Sequence, residues 1–330
     1  MSLLSALLTL STQNAPPVVV PDARATVAIW CPAECPDADV DALRAALDDQ
    51  FKMVRRLPRR AATRPVASLQ VLPADAWGRW DPSALGEYGE TLTEADRAVL
   101  AGSPEVVVFS IAIDPLGDAQ AKNQRANRAA LTFAEAVGGV PEDVATGEVY
   151  SREAWSALRI DALGAEIMLY EQFTLLWSPE GDRVVTQGLR KLGLHELAMT
   201  GVSVELAGDV ITTLSLIATL EREGKTLDRN VSLSVAEVQN LADRSYLEAW
   251  MVWPGAEQGG QAGTGEAQVT LRNRVAGPGE PVGPILEVGV GGEYGSITAM
   301  AALFDQLWGW RGTAAPPPVA PAAEGWGGVQ

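Results

Sequence analysis

One histidine and two cysteines in 330 residues exclude a zinc site built from the usual four Cys and His ligands. Basic residues are also few: 25 Lys and Arg stand against 42 Asp and Glu, a net charge of −17. Most of the surface therefore repels phosphate, and nucleic acid is not an expected partner. Long apolar runs are missing too. The best stretch, Val210 to Leu220, falls short of the ~18 uninterrupted apolar residues a membrane-spanning helix needs. No Gly-x-Ser-x-Gly elbow, Walker-type loop or His-Glu-x-x-His helix is present. The sequence therefore assigns no catalytic residue, no metal ligand and no cofactor.

What is present supports a sizeable core, with 47% hydrophobic and 20% charged residues. The length predicts about two domains. Strands are expected at Ala25–Cys31, Val66–Leu72 and Glu105–Ile113, the last strongly apolar and central. Helices are expected at Asp37–Phe51, from a Thr93 cap to Leu100, and from Asp118 to Val137, where Gly138 and Gly139 offer a left-handed end. A hairpin at Val140–Tyr150 and a short helix at Ser151–Leu158 follow, then strands at Glu166–Trp177 and Arg183–Gln187. The remainder reads as helices at Gly208–Glu223, Val235–Ala242 and Ser296–Trp308, with strands at Leu247–Trp253, Ala267–Asn273 and Ile285–Val290. Residues 257–265 read as a flexible hairpin loop. Lacking a strict βαβ rhythm, the pattern predicts an α+β fold of mixed or antiparallel sheets with packed helices in two subdomains. The expected divisions are a candidate signal segment at 1–15, an N-terminal α+β domain at 16–182, a C-terminal α+β domain at 183–312 and a flexible Ala/Pro/Gly tail at 313–330.

The segment Met1–Leu10 is an apolar run of export-signal length ending near Pro16-Pro17, although no Lys or Arg precedes it. Cys31 and Cys35 suit a small disulfide loop in an exported protein and two ordinary thiols in the cytosol.

Two stretches, Gly139-Val-Pro-Glu-Asp-Val-Ala-Thr-Gly-Glu-Val-Tyr-Ser-Arg-Glu-Ala-Trp-Ser-Ala-Leu-Arg159 and Thr186-Gln-Gly-Leu-Arg-Lys-Leu-Gly-Leu-His-Glu-Leu197, resemble a bacterial family of domains of unknown function. His195 stands where that family's pattern often has proline. The resemblance implies no activity and no site residue. Physically the second stretch reads as scaffold, with Gly188 and Gly193 permitting tight turns and its leucines directed to the core.

Pro284–Gly295 imitates a nucleotide-binding glycine turn, but Tyr294 occupies the third glycine position and no second βαβ unit follows, so it reads as a structural turn. His195 beside Glu196 lacks a nucleophile motif, and neighbouring side chains point apart. The pairs Asp48-Asp49 and Glu221/Glu223 read as solvated faces. Lys52–Arg64 holds six cations and no acid, including Arg55, Arg56, Arg59 and Arg60. It suits an acidic protein or another anionic ligand; the plain alternative is a connection whose arginines pair with carboxylates elsewhere. Ten tryptophans are present, and Trp77 with Trp80 flanks a polar loop that suits partner contact.

Together these features lead to one expectation, a non-enzymatic bacterial binding module, periplasmic or secreted, whose partner is a protein or an anionic ligand. The alternative is a cytoplasmic hydrolase or transferase with a site assembled from scattered residues.

Overall fold

The computed structural model describes residues 23–58, 64–78, 91–113, 118–162, 168–252, 260–281 and 283–310. Arg59, Arg60, Trp80, the candidate signal segment and the tail lie outside the described residues.

The first sheet is built from β1 (Ala23–Cys31), helix α1 (Asp37–Asp48), β2 (Lys52–Met53), β3 (Val66–Pro73), short α2 (Ala74–Trp77), α3 (Glu94–Gly102), β4 (Glu105–Ile113), α4 (Ala119–Val137), β5 (Val140–Asp143) and β6 (Glu148–Val149). Strand order is β2-β3-β4-β1-β5-β6, so the apolar β4 is central, as expected. It runs antiparallel to β1 from Ala23 opposite Ile113 to Cys31 opposite Glu105. The near-continuous apolar run of β4 follows from burial on both faces. Leu43 and Leu47 of α1 with Ala130 and Phe133 of α4 cover Val27, Ile29, Phe109 and Ile111. On the opposite face Ala74 and Leu100 pack with Trp30, Val106 and Val108. The helix limits follow local chemistry. Thr93 and Asp96 form a reciprocal capping box, and Gly138 closes α4 in the left-handed region at φ 69°.

The second sheet follows α5 (Arg152–Trp155), which continues as a π-helical turn over Ser156–Asp161. Its elements are β7 (Thr174–Trp177), β8 (Arg183–Gln187), a 3-10 turn at Leu189–Leu192, β9 (Glu196–Thr200), α6 (Ala207–Arg222), β10 (Asn230–Ser234), α7 (Leu241–Val252), β11 (Gln261–Ala262), β12 (Glu266–Arg274), β13 (Ile285–Gly289), α8 (Ile297–Trp308) and β14 (Gly309–Trp310). The order is β10-β12-β13-β9-β8-β7; β13 and β9 run parallel while the other pairs are antiparallel. β11 and β14 form a separate two-stranded ribbon. The chain is thus α+β, with two mixed sheets. Helix α6 is enclosed by β-sheet, α7 and α8, which explains its apolar sequence on nearly every side. Its buried Thr212 and Thr213 return their hydroxyls to the carbonyls of Gly208 and Asp209.

Two expected strands differ. Of Glu166–Trp177, only Thr174–Trp177 is strand, and a 3-10 turn occupies Leu169–Glu171. The expected strand at Leu247 belongs to α7, whose start is fixed by Asn240 accepting from the amides of Ala242 and Asp243. That cap outweighs the strand preference of the Trp-, Met- and Val-rich run.

Cys31 and Cys35 are joined as a disulfide, with Cα atoms 6.2 Å apart. It ties the end of β1 to the turn entering α1. Ser103 donates to the Cys31 carbonyl at 2.7 Å and the Cys35 amide donates to Glu105 at 2.9 Å. The ring is short, so the loop-closure contribution is about 2 kcal/mol. The Cys31→Ser/Cys35→Ser variant is expected to be less stable by about 2 kcal/mol in urea unfolding, with a lower midpoint, while keeping the native far-UV circular dichroism spectrum.

Candidate functional site: a cleft at the junction of the two sheets

The segments 139–159 and 186–197 meet at the boundary between the sheets. The π-helical turn after α5 carries Arg159 inward, where the side chain is 1% exposed. Its guanidinium donates to the Glu171 carbonyl at 2.9 Å, to Gln172 Oε1 at 3.4 Å, to Glu148 Oε2 at 3.3 Å and to the Tyr150 hydroxyl, and its Nε lies 2.9 Å from Asp143 Oδ2. The Tyr150 hydroxyl in turn donates to Glu148. From the second sheet, Lys191 Nζ reaches the same Asp143 oxygen at 2.5 Å. One carboxylate of β5 therefore holds two cations, one from each side of the boundary.

Glycine chemistry puts Lys191 there. Gly188 has φ +124°, and a Cβ on it would stand 2.8 Å from the Gln172 carbonyl oxygen. Gly193 has φ +78° and sits against Ala119 and Ala23 of the first half. Between them Leu189 and Leu192 are buried, as the scaffold reading expects. Glu196 holds the turn by accepting from Thr186 Oγ1 at 2.8 Å and from the amides of Gly188 and Arg190 at 3.0 Å each.

Ionisation follows this packing. Burial opposes the charge of Asp143, but Lys191 and Arg159 outweigh it and hold the carboxyl below its ordinary value. Burial and the neighbouring Arg159 lower Lys191 to about 8. Burial raises Glu148, Tyr150 and Glu196, and it also raises Glu171 and Asp243.

Beside this network opens a cleft of about 940 Å³. Arg24 and Thr26 of β1, Leu57-Pro58, and the Val144-Ala145 turn form one side. Gln187 to Lys191, Glu196 and the Gly279–Gly283 loop form the other. Arg24 donates to the Pro58 carbonyl at 2.8 Å, and Val54 and Leu57 pack on Val66 and Ala112, so residues 54–58 are anchored as a wall. Glu280 on the opposite rim accepts from Arg274 at 2.7 Å and the Gly277 amide at 2.6 Å. Burial disfavours its charge, yet these donors with Arg183 keep the carboxyl below its ordinary value.

The sequence candidates fall in different places. Arg55 and Arg56 immediately precede the Leu57-Pro58 wall, are exposed, and have no ion-pair partner among the described residues. Trp77 is half-buried at the end of α2, with its indole 3.5 Å from Glu142 Oε2, which also accepts from Trp30 at 2.8 Å. Trp30 and the disulfide stand at the far end of β1 from Arg24, about 20 Å along the strand. The Trp77 surface and the basic segment are thus not one site.

His195 pairs with Glu221 at 2.5 Å while Glu196 turns to the Gly188 loop, so the neighbours do point apart. The solvated-face reading of Glu221/Glu223 is corrected. Glu221 holds His195, and Glu223 accepts from the amides of Gln239 and Asn240, capping the approach to α7. The glycine turn after β13 takes positive φ at Gly291 and Gly292, with Tyr294 beneath Arg272. Sequence reasoning missed Asp143, Arg159 and Lys191. The one available signal was that both resembling stretches carry a charge among residues that read as core. Among the described residues, no three His, Cys, Asp or Glu side chains converge on a metal position. Comparisons with protein-family models, curated proteins and solved structures return no match.

Lys191→Ala is expected to cost about 3 kcal/mol, the low end for a broken buried pair because Arg159 still faces Asp143. The double variant Asp143→Asn/Lys191→Met is expected to cost less than the sum of its single variants in urea unfolding.

The pH dependence has a definite sign. Glu148, Glu171, Glu196 and Asp243 are raised, so the folded state holds these protons to higher pH than the unfolded chain does. Each therefore adds stability as pH falls from neutrality toward its ordinary value, 4.5 for Glu and 3.8 for Asp. Asp143 and Glu280 are lowered, and their stabilisation is lost only below 3.8 and 4.5 respectively. Lys191 adds no slope below about 8. Calorimetry is expected to give a higher Tm near pH 5.5 than near pH 7.5, followed by a fall at stronger acidity, and Glu196→Gln is expected to flatten the rise.

Proposed function

We propose that the protein is a non-enzymatic binding module that takes an anionic partner on the basic segment Lys52–Arg64 and works in an oxidising compartment, periplasmic or extracellular. The observation that carries this reading is the exposure of Arg55 and Arg56 without ion-pair partners among the described residues, in a chain where acids outnumber bases 42 to 25. An acidic protein ordinarily compensates such cations internally. Here the backbone beside them is anchored by Arg24 and by the packing of Val54 and Leu57, which presents the charges from a held position. The half-buried Trp77 supports at most a smaller apolar contact elsewhere. The Cys31–Cys35 bond supports an oxidising compartment.

The alternative, a hydrolase or transferase, requires an accessible reacting group. The two groups of the cleft wall with raised or lowered ionisation that lie deepest, Lys191 and Glu196, are 2% and 3% exposed and engaged in internal bonds. That favours binding over catalysis.

The test is partner capture from an envelope extract across a salt series, with the purified chain as bait. The parent is expected to retain partners in a salt-dependent manner, and Arg55→Glu/Arg56→Glu to lose about ten-fold of that retention. Unchanged capture by the double variant would refute the basic-surface reading. Thiol counting on the chain from fractionated cells tests the compartment, with a reduced cytosolic chain as the opposing result.

A further inference from the structure

We infer that the anionic partner is an acidic peptide taken in extended form, added as a strand to the open edge of β3 with its acidic end beside Lys52, Arg55, Arg56 and Arg64. This rests on the basic-segment reading above and gives the form of its partner. Strand order puts β2 outside β3, but β2 pairs only Lys52 with Val66 and Met53 with Ala67. β3 itself runs on against β4, as far as Pro73 opposite Glu105. From Ser68 onward its outer edge therefore meets no strand among the described residues. In an antiparallel ladder alternate residues turn N–H and C=O away from the partner, so this edge offers a row of backbone groups. It is about 17 Å long, room for one strand of ordinary length.

Edge strands are usually guarded by charge, proline or a bulge. Ser68, Leu69, Gln70, Val71 and Leu72 carry neither charge nor proline. Gln70 is exposed and Val71 is 40% exposed, whereas Leu69 and Leu72 pack against the cores on opposite faces of the sheet. An added strand would meet backbone groups in the plane of the sheet and an apolar side chain on one face. The chemistry of its end follows from the corner where β2 leaves. The Val54 amide donates to the Ala67 carbonyl at 2.7 Å, and Arg55 and Arg56 follow directly. The Lys52 amide donates to the Pro65 carbonyl at 3.1 Å, which puts Arg64 at the same corner. Lys52, Arg55, Arg56 and Arg64 are exposed and have no ion-pair partner among the described residues. The far end of the edge leads into Asp75 of α2, so charge along it runs from basic to acidic. The other edges lack this setting: β6 is two residues long, β7 lies between Glu171 and Glu180, and β10 follows the mixed pair Asp228-Arg229. β3 already pairs antiparallel with β4, and antiparallel addition on the open side brings the peptide's C-terminal end, carboxylate included, to the basic corner.

The probe is a fluorescein-labelled synthetic peptide of alternating Thr and Val with a run of Glu at its C-terminal end. Two companions separate backbone from charge: the same peptide N-methylated throughout its Thr/Val part, and a version with Gln in place of every Glu. Fluorescence anisotropy with the native full chain is expected to show saturable binding of the parent peptide that weakens with added salt. N-methylation removes the backbone donors and keeps every charge, and is expected to weaken binding by about ten-fold or more. The Gln version is expected to bind about ten-fold more weakly than the parent peptide at low salt. Arg55→Glu/Arg56→Glu is expected to weaken the parent peptide by about ten-fold and to leave the Gln version within about two-fold. Amide hydrogen exchange at Leu69–Leu72 is expected to slow when the parent peptide is bound.

Equal binding of the N-methylated peptide would overturn strand addition and leave the basic surface in place, since charge alone would then hold the peptide. Undiminished binding of the parent peptide by Arg55→Glu/Arg56→Glu would instead refute the basic-surface reading. Absence of saturable binding by the parent peptide would overturn the proposal outright. Exchange slowed at another sheet edge and unchanged at Leu69–Leu72 would overturn the assignment of the site. Exchange at Leu69–Leu72 that slows in the peptide-free chain as its own concentration rises would give the edge to a second copy, and would overturn the peptide as its occupant.

Discussion

Asp143 accepts Lys191 from one sheet and Arg159 from beyond the other end of its own hairpin, and all three are almost completely buried. Burying charge is costly unless the partners and hydrogen bonds are complete, so this cluster tolerates little displacement of any member. The requirement propagates outward. Arg159 must leave the regular helix through a π-helical turn to reach Asp143, and its remaining donors collect Glu148, Tyr150 and the carbonyl of Glu171. Lys191 must arrive on a turn tight enough to need Gly188 and Gly193. The two sheets are therefore registered against each other by the Asp143–Lys191 contact, the glycine turn that delivers it, and the bonds of Arg159 and Leu158 to Glu171 and Gln172.

The cleft is a consequence of that arrangement. Turning the Gly188–Leu192 segment inward to deliver Lys191 leaves Gln187 and Arg190 at the boundary, facing the open end of β1. The same strand end anchors the described start of the basic segment, through Arg24 and the Pro58 carbonyl. Scaffold and candidate site are thus made from one stretch of chain. The scaffold reading of residues 186–197 accounts for its leucines and glycines, while its polar residues serve as walls.

Much of the element pattern was legible from residue order. The central β4, the capped α3 and α4, the hairpin at Asp143–Glu148 and the glycine turn after β13 all rest on local rules of hydrophobic period, capping and positive φ. The failures were also local in kind. Leu247–Val252 has strand-like composition, and a single Asn240 cap with packing on α6 made it helix. Glu221 and Glu223 read as solvated because nothing near them in sequence shows that His195 and the Gln239-Asn240 amides come to meet them.

By itself the sequence determined the α+β class, the absence of a long apolar spanning run, the acid excess and the local cationic exception at Lys52–Arg64. Each of these is a property of composition or of residues within a few positions of one another. Tertiary structure alone decided the pairing of Asp143 with Lys191, 48 positions apart, and the meeting of Arg24 with the Gly188–Lys191 turn around a common cleft. The physical reason is that a buried charge is defined by what surrounds it in space, and neither hydrophobic period nor local spacing encodes which distant counter-charge will be there.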